Sequence, residues 1–209
     1  NEFYRQSPLL SPIYYLKKSL DSIHNLKIGN INNIIIQNYS TIIMPEKFEI
    51  PKRFHNNLNK WLLEGGTLIR FSGEGLERKK SIFLPSQGNY SRIRDIEGQL
   101  TTNKKLFILD FDRDSIFFGL QIPRDINVKK QLIFDNYPKQ VNVLAKLTDN
   151  TPLVSMREFG KGEIILFHIG ANNDWSNLPI SSLFPDMLNR VLLFSKKINH
   201  SNLKTLNLS

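Results

Sequence analysis

Thr41-Ile42-Ile43-Met44-Pro45, then Pro51 through Leu62, then Gly65-Gly66-Thr67-Leu68-Ile69-Arg70-Phe71 is the stretch on which the fold turns. Thr41 to Met44 is short, apolar and β-branched, and Pro45 closes it, which reads as a buried strand. Pro51 suits the first turn of a helix. Phe54, Leu58, Trp61 and Leu62 then recur at three- and four-residue steps, so one face of that helix is apolar. Gly65-Gly66 stops it, and Thr67 to Phe71 is a second strand that runs into the turn Ser72-Gly73-Glu74-Gly75. A strand, a helix and a strand within about thirty residues predict two parallel neighbours joined by a right-handed crossover.

Upstream, Ser11-Pro12 supplies an N-cap and a first-turn proline. Ile13, Leu16 and Leu20 continue at helical spacing. Ile34-Ile35-Ile36 reads as a short strand. Downstream, Ser81 to Leu84 and Leu106 to Leu109 are expected strands, and Ser115 to Leu120 a packed turn. From Asn127 the pattern is β-rich. Val128 to Phe134, Val141 to Leu147, Leu153 to Glu158 and Glu163 to His168 are separated by Asp149-Asn150-Thr151-Pro152 and Phe159-Gly160-Lys161-Gly162, which predicts an antiparallel meander. Ile180, Leu183, Phe184, Met187, Leu188, Val191 and Leu192 mark a closing helix over 180–195. The expected class is α/β, a mixed, mostly parallel sheet flanked by helices with an antiparallel meander near the C-terminus. Residues 1–197 form one domain, and 198–209 are read as a polar tail.

The chain has 209 residues, 40% of them hydrophobic, enough for a substantial core. The start at Asn1-Glu2-Phe3 reads as the cut end of a longer protein. There is no cysteine, which excludes disulfides, thiolate metal sites and a thiol nucleophile. Four histidines without HxxH spacing argue against zinc. The net charge of +9 is scattered as pairs, such as Lys17-Lys18 and Lys129-Lys130, in a chain rich in Ile, Asn and Lys. No basic stripe interleaves with aromatics, so no nucleic acid is expected. No run reaches the ~18–20 apolar residues of a membrane span.

The unit from Thr41 to Gly75 resembles the class I glutamine amidotransferase-like fold, with Glu163 to Gly170 in the place of the strand that carries that family's histidine. Across nearly the whole chain, the order of Ser11-Pro12-Ile13-Tyr14-Tyr15-Leu16, Trp61 to Phe71, Asp149 to Val154, Phe159-Gly160-Lys161-Gly162, Phe167-His168 and Asp174-Trp175-Ser176-Asn177-Leu178-Pro179 resembles the central domain of BatA-like, aerotolerance-regulator-type bacterial membrane proteins. That resemblance implies a membrane anchor in flanking segments, a soluble domain on the periplasmic side and no assigned reaction. Its partners would be cell-envelope proteins or a second copy of the chain.

A glutaminase needs a thiolate, a histidine base and an acid that orients the histidine. On the resemblance, the nucleophile falls at Ser72, the base at His168 and the acid at Gly170. Thiol and orienting carboxylate are both missing. The leading expectation is therefore a non-catalytic interaction or ligand-binding domain without cofactor or metal. Two alternatives stay open. Ser72 and His168 as a pair would make a hydrolase, although Phe71-Ser72-Gly73-Glu74-Gly75 is not GxSxG. Trp175 beside Asp174, in a loop beyond a strand end, would suit a carbohydrate- or small-ligand-binding module. Arg70 is an anion-binding candidate set against a structural ion pair. Asp110, Asp112 and Asp114 lack the glycine and glutamate of a calcium loop. Glu74 and Glu77 read as loop carboxylates.

Overall fold

The computed structural model describes residues 11–21, 26–29, 39–45, 50–77, 82–97 and 105–206. Helix α1 (Pro12–Ser19) leads to strand β1 (Thr41–Met44). A 3-10 turn (Lys52–Phe54) runs into α2 (His55–Leu63), and β2 (Thr67–Phe71) follows. Thr41 pairs with Thr67 and Met44 with Arg70 in parallel register, as the opening stretch predicts. Gly65 takes φ 118° just past α2, a conformation open to glycine, which ends the helix and swings the chain into β2.

Strands β3 (Ser91–Asp95) and β4 (Lys130–Phe134) form an antiparallel ribbon. Strands β5 (Asn142–Lys146), β6 (Pro152–Phe159) and β7 (Gly162–Phe167) complete the main sheet, in the order β1-β2-β7-β6-β5. β7 lies parallel to β2 and antiparallel to β6, and β6 is antiparallel to β5. The sheet is thus mixed, parallel on one side and a meander on the other. Helix α3 (Leu183–Leu206) closes the chain.

The sheet divides two cores, because alternate residues of each strand face opposite sides. Ile42, Met44, Leu68 and Ile164 pack with Phe54, Leu58, Trp61 and Leu62 of the α2 side. Ile69, Phe71, Ile165 and Phe167 pack with Leu16, Leu20, Phe184, Met187 and Leu188, and with Leu132 and Phe134 of the ribbon. The Phe71 and Phe167 rings stack at 4.6 Å between centroids, with Phe184 edge-on to both.

Two glycines set the spacing between α2 and the sheet. A Cβ on Gly66 would lie 2.2 Å from the Trp61 ring, and one on Gly162 would lie 2.1 Å from the Gly66 carbonyl oxygen. The Trp61 indole N–H donates to the Tyr39 carbonyl at 2.6 Å. The β6–β7 turn, with Gly160 at φ 65°, docks under the end of α2 through Lys161 N–H to the Leu63 carbonyl at 3.2 Å.

Several expectations need correction. Val128 to Phe134 does not join the meander. Its strand leaves for the ribbon with Ser91–Asp95, a strand the apolar pattern does not announce. Residues 82–84 form turns, and Ser81 lies outside the described residues. Leu106 and Ile108 make isolated bridges to Val128 and Leu147 instead of a strand. Ile13 is 45% exposed, and Tyr15 takes the inward place beside Leu16. Ser11 holds the N-cap position without a side-chain cap bond. The last helix runs through residues 198–206, where a tail was expected. Ile34 to Ile36 lie outside the described residues.

Candidate functional site

In a sheet with parallel strands, chemistry gathers beyond their C-terminal ends. β2 and β7 end side by side, Phe71 opposite Phe167, so Ser72 and His168 follow at matching places. They do not form a pair. Ser72 is fully buried. Its N–H points between the carbonyls of Phe167 (3.0 Å) and Ile169 (2.9 Å), and its hydroxyl donates to the Phe167 carbonyl at 2.8 Å.

His168 is equally buried and faces another layer. Its Nδ1 lies 2.6 Å from the Leu132 carbonyl oxygen of β4. A carbonyl only accepts, so Nδ1 carries the proton. Nε2 is then left to accept from the Ser155 hydroxyl of β6 at 2.8 Å. The rings of Phe134 and Tyr137 stand 5.9 and 6.1 Å away. Burial pushes the imidazole down to about 4, against a smaller opposing effect of the Leu132 hydrogen bond, so it is neutral at pH 7. Ser155 and His168 have the spacing of a nucleophile and base. Both are sealed from solvent, so no substrate atom reaches either in this conformation.

Trp175 is 3% exposed and belongs to the main core. Its carbonyl accepts from the N–H groups of Lys129 (2.7 Å) and Lys130 (3.1 Å), which ties this loop to the ribbon. An indole in that position seals the core and offers no face for stacking a sugar. Asp174 is exposed and accepts from the Asn172 amide at 2.7 Å. Arg70 is 2% exposed and donates to the Phe83 carbonyl at 3.4 Å. Burial lowers its guanidinium to about 10, still charged at neutral pH. Asp112 pairs with Lys146 at 2.8 Å, and no group of three or more metal-binding side chains occurs among the described residues. Glu74 and Glu77 sit at the turn after β2.

Two polar assemblies escape sequence reasoning. At the N-terminal ends of the parallel strands, a chain of hydroxyls runs from half-buried Thr41 through buried Ser195 of α3 (3.0 Å) to buried Thr67 (2.7 Å) and ends on the Glu163 carboxylate (2.9 Å). Burial raises the Glu163 pKa; the Thr67 hydrogen bond opposes this, and Glu158 adds to it. At the ribbon, Arg94 pairs with Asp149 (2.7 Å) and donates to Gln131 (2.6 Å) and Thr151 (3.1 Å). Fully buried Gln131 reaches the Pro152 carbonyl at 2.6 Å. The only trace of either in the sequence is polar residues interrupting apolar strands.

No protein-family model and no curated protein matches the sequence. Solved structures do. A cytoplasmic protein from Salmonella typhimurium is 13% identical, with 86% of this chain and 85% of that one covered and a TM-score of 0.58. A second cytoplasmic protein, from Salmonella typhimurium LT2, is 16% identical, covering 89% and 85%, with a TM-score of 0.54. A β-galactosidase from Rahnella sp. R3 is 16% identical over 75% of this chain but only 24% of its own, with a TM-score of 0.55. At such identities the likeness is one of fold. Among the described residues, the fold is an α/β domain with a five-stranded mixed sheet, a two-stranded antiparallel ribbon and three helices. Among the described residues no helix is long and apolar enough to cross a membrane.

Proposed function

We propose that this chain is a non-catalytic, amidotransferase-like interaction domain of a membrane-anchored bacterial envelope protein, exposed on the periplasmic side. One observation carries the non-catalytic part. The serine and histidine at the ends of the two central strands are both buried, and each is bonded elsewhere: Ser72 to a carbonyl of its neighbour strand, His168 to the ribbon and Ser155. A nucleophile and base that do not meet, without thiol or orienting carboxylate, leave the fold as a scaffold. Burial of Trp175 in the core argues against a sugar-stacking platform. The anchor and compartment rest on the order of motifs from Ser11 to Pro179, since the fold itself is shared with cytoplasmic proteins.

The test is turnover of glutamine and of a nitrophenyl ester by the purified domain, beside Ser72→Ala and His168→Gln. The expected result is the buffer rate for all three. Turnover that Ser72→Ala abolishes would overturn the non-catalytic reading. Protease accessibility of the full-length protein in intact and permeabilised cells tests the compartment, and digestion only after the inner membrane is breached would overturn it.

A further inference from the structure

Among the described residues, the β3–β4 ribbon shares no continuous ladder with the main sheet. It is held along a seam whose bonds are few and specific. Leu132 donates its N–H to the His168 carbonyl at 2.8 Å and accepts from His168 Nδ1 at 2.6 Å. Gln131 reaches the Pro152 carbonyl at 2.6 Å, Arg94 reaches Asp149 at 2.7 Å, and the Trp175 carbonyl receives Lys129 and Lys130. Beneath the seam the ribbon covers apolar core with Leu132 and Phe134. On the main-sheet side, Asp149 accepts from Arg94 as a carboxylate, and His168 lies sealed against Leu132 and Phe134 of the ribbon as a neutral imidazole.

We propose that His168 and Asp149 form an acid-sensitive latch that frees the β3–β4 ribbon while the central strands β2 and β7 stay folded. Protonating Nε2 leaves the Nδ1–H bond to Leu132 in place and lets the Ser155 hydroxyl turn to accept; its cost is a charge in a sealed site walled by Leu132 and Phe134 of the ribbon, which release of the ribbon returns to water. The Tyr137 ring packs 6.1 Å from the imidazole, and burial pushes that phenol up to about 12, so it stays neutral. Protonating Asp149 removes the charge opposite Arg94, the residue that also grips Gln131 and Thr151. Both shifts have the sign this needs. Burial depresses His168 to about 4. Burial raises Asp149, but hydrogen bonds from Thr151 and Arg94 outweigh it and hold the carboxyl below its ordinary value. Each group therefore stabilises the closed seam above its unfolded-state pKa and loses that contribution as pH falls. His168 acts first, between about 6.5 and 4, and Asp149 follows below about 4.

Hydrogen–deuterium exchange at pH 7, 5, 4 and 3, normalised to intrinsic rates, reads the latch directly. Ribbon residues 91–95 and 128–134 are expected to lose protection by up to about 300-fold between pH 6.5 and 4, the limit for a shift of this size. Residues 67–71 and 162–167 hold theirs over the same range. His168→Gln flattens that limb, and Asp149→Asn flattens the limb below pH 4. Should His168→Gln fail to fold, the wild-type profile and Asp149→Asn decide alone. Ribbon protection unchanged down to pH 3, or ribbon and central strands opening together, overturns the latch.

Discussion

Replacing Gly162 by alanine adds one methyl group at the tightest contact between α2 and the sheet. Its Cβ would lie 2.1 Å from the Gly66 carbonyl oxygen, 2.6 Å from the Leu62 carbonyl oxygen and 2.9 Å from the Gly66 nitrogen. All three are backbone atoms, so no flexible side chain can give way. Relief requires α2 or the strand β7 to move by about 1 Å, and the Glu163 N–H bond to the Gly66 carbonyl, already 3.2 Å, would break. Overpacking ordinarily costs about 1–3 kcal/mol, and three backbone atoms of the Leu62–Gly66 segment within 3 Å put this case at or above about 3 kcal/mol. In a domain of this size about 1 kcal/mol lowers Tm by about 2–4 °C, so a fall of about 6–12 °C is expected. Gly29→Ala is the control. Nothing lies within 4 Å of its added Cβ, and its Tm should stay within about 2 °C of wild type. Differential scanning calorimetry on the three proteins decides the matter. A Gly162→Ala variant as stable as Gly29→Ala would refute the close-approach account of this contact.

Trp175→Ala should lose about 3–5 kcal/mol in urea unfolding, because the indole is core; a loss under about 1 kcal/mol would restore a surface role. Ser195→Ala removes the link between Thr41 and Thr67 and should cost about 1–3 kcal/mol, with helix α3 losing exchange protection before β2. Glu163→Gln should raise Tm at pH 7 and converge with wild type in acid. The raised pKa of this buried acid means the wild type loses stability as pH climbs from about 4.5 through the folded-state value. A variant that is less stable at pH 7, or whose advantage persists at pH 3, would contradict that sign.

The central strand–helix–strand unit is legible in the sequence because both of its signals are local. Proline and glycine bound each element, and the Phe54, Leu58, Trp61, Leu62 stripe can face only a core. β3 is not legible. Ser91-Arg92-Ile93-Arg94-Asp95 has a single large apolar residue, and its strand character comes from pairing with β4 across a long intervening segment. The candidate pair at Ser72 and His168 illustrates another limit. Register brings the two residues alongside each other, but side-chain direction is decided by carbonyls that only the folded backbone places. The hydroxyl chain from Thr41 to Glu163 joins four positions from three strands and a helix, with no spacing rule to reveal it.

The place of β7 between β2 and β6 has a consequence during synthesis. β2 is buried along its whole length, yet one of its flanks is closed only by residues 162–167, and the paired residues Thr67 and Glu163 are 96 positions apart. At about 5–20 residues per second, the ribosome leaves that apolar edge open for about 5–20 s after β2 has emerged. The nascent chain then offers Thr67 to Phe71 as a half-paired edge to any passing β-segment. Chaperone capture in that interval, more than the stability of the finished domain, should govern how much of this protein a cell recovers in folded form.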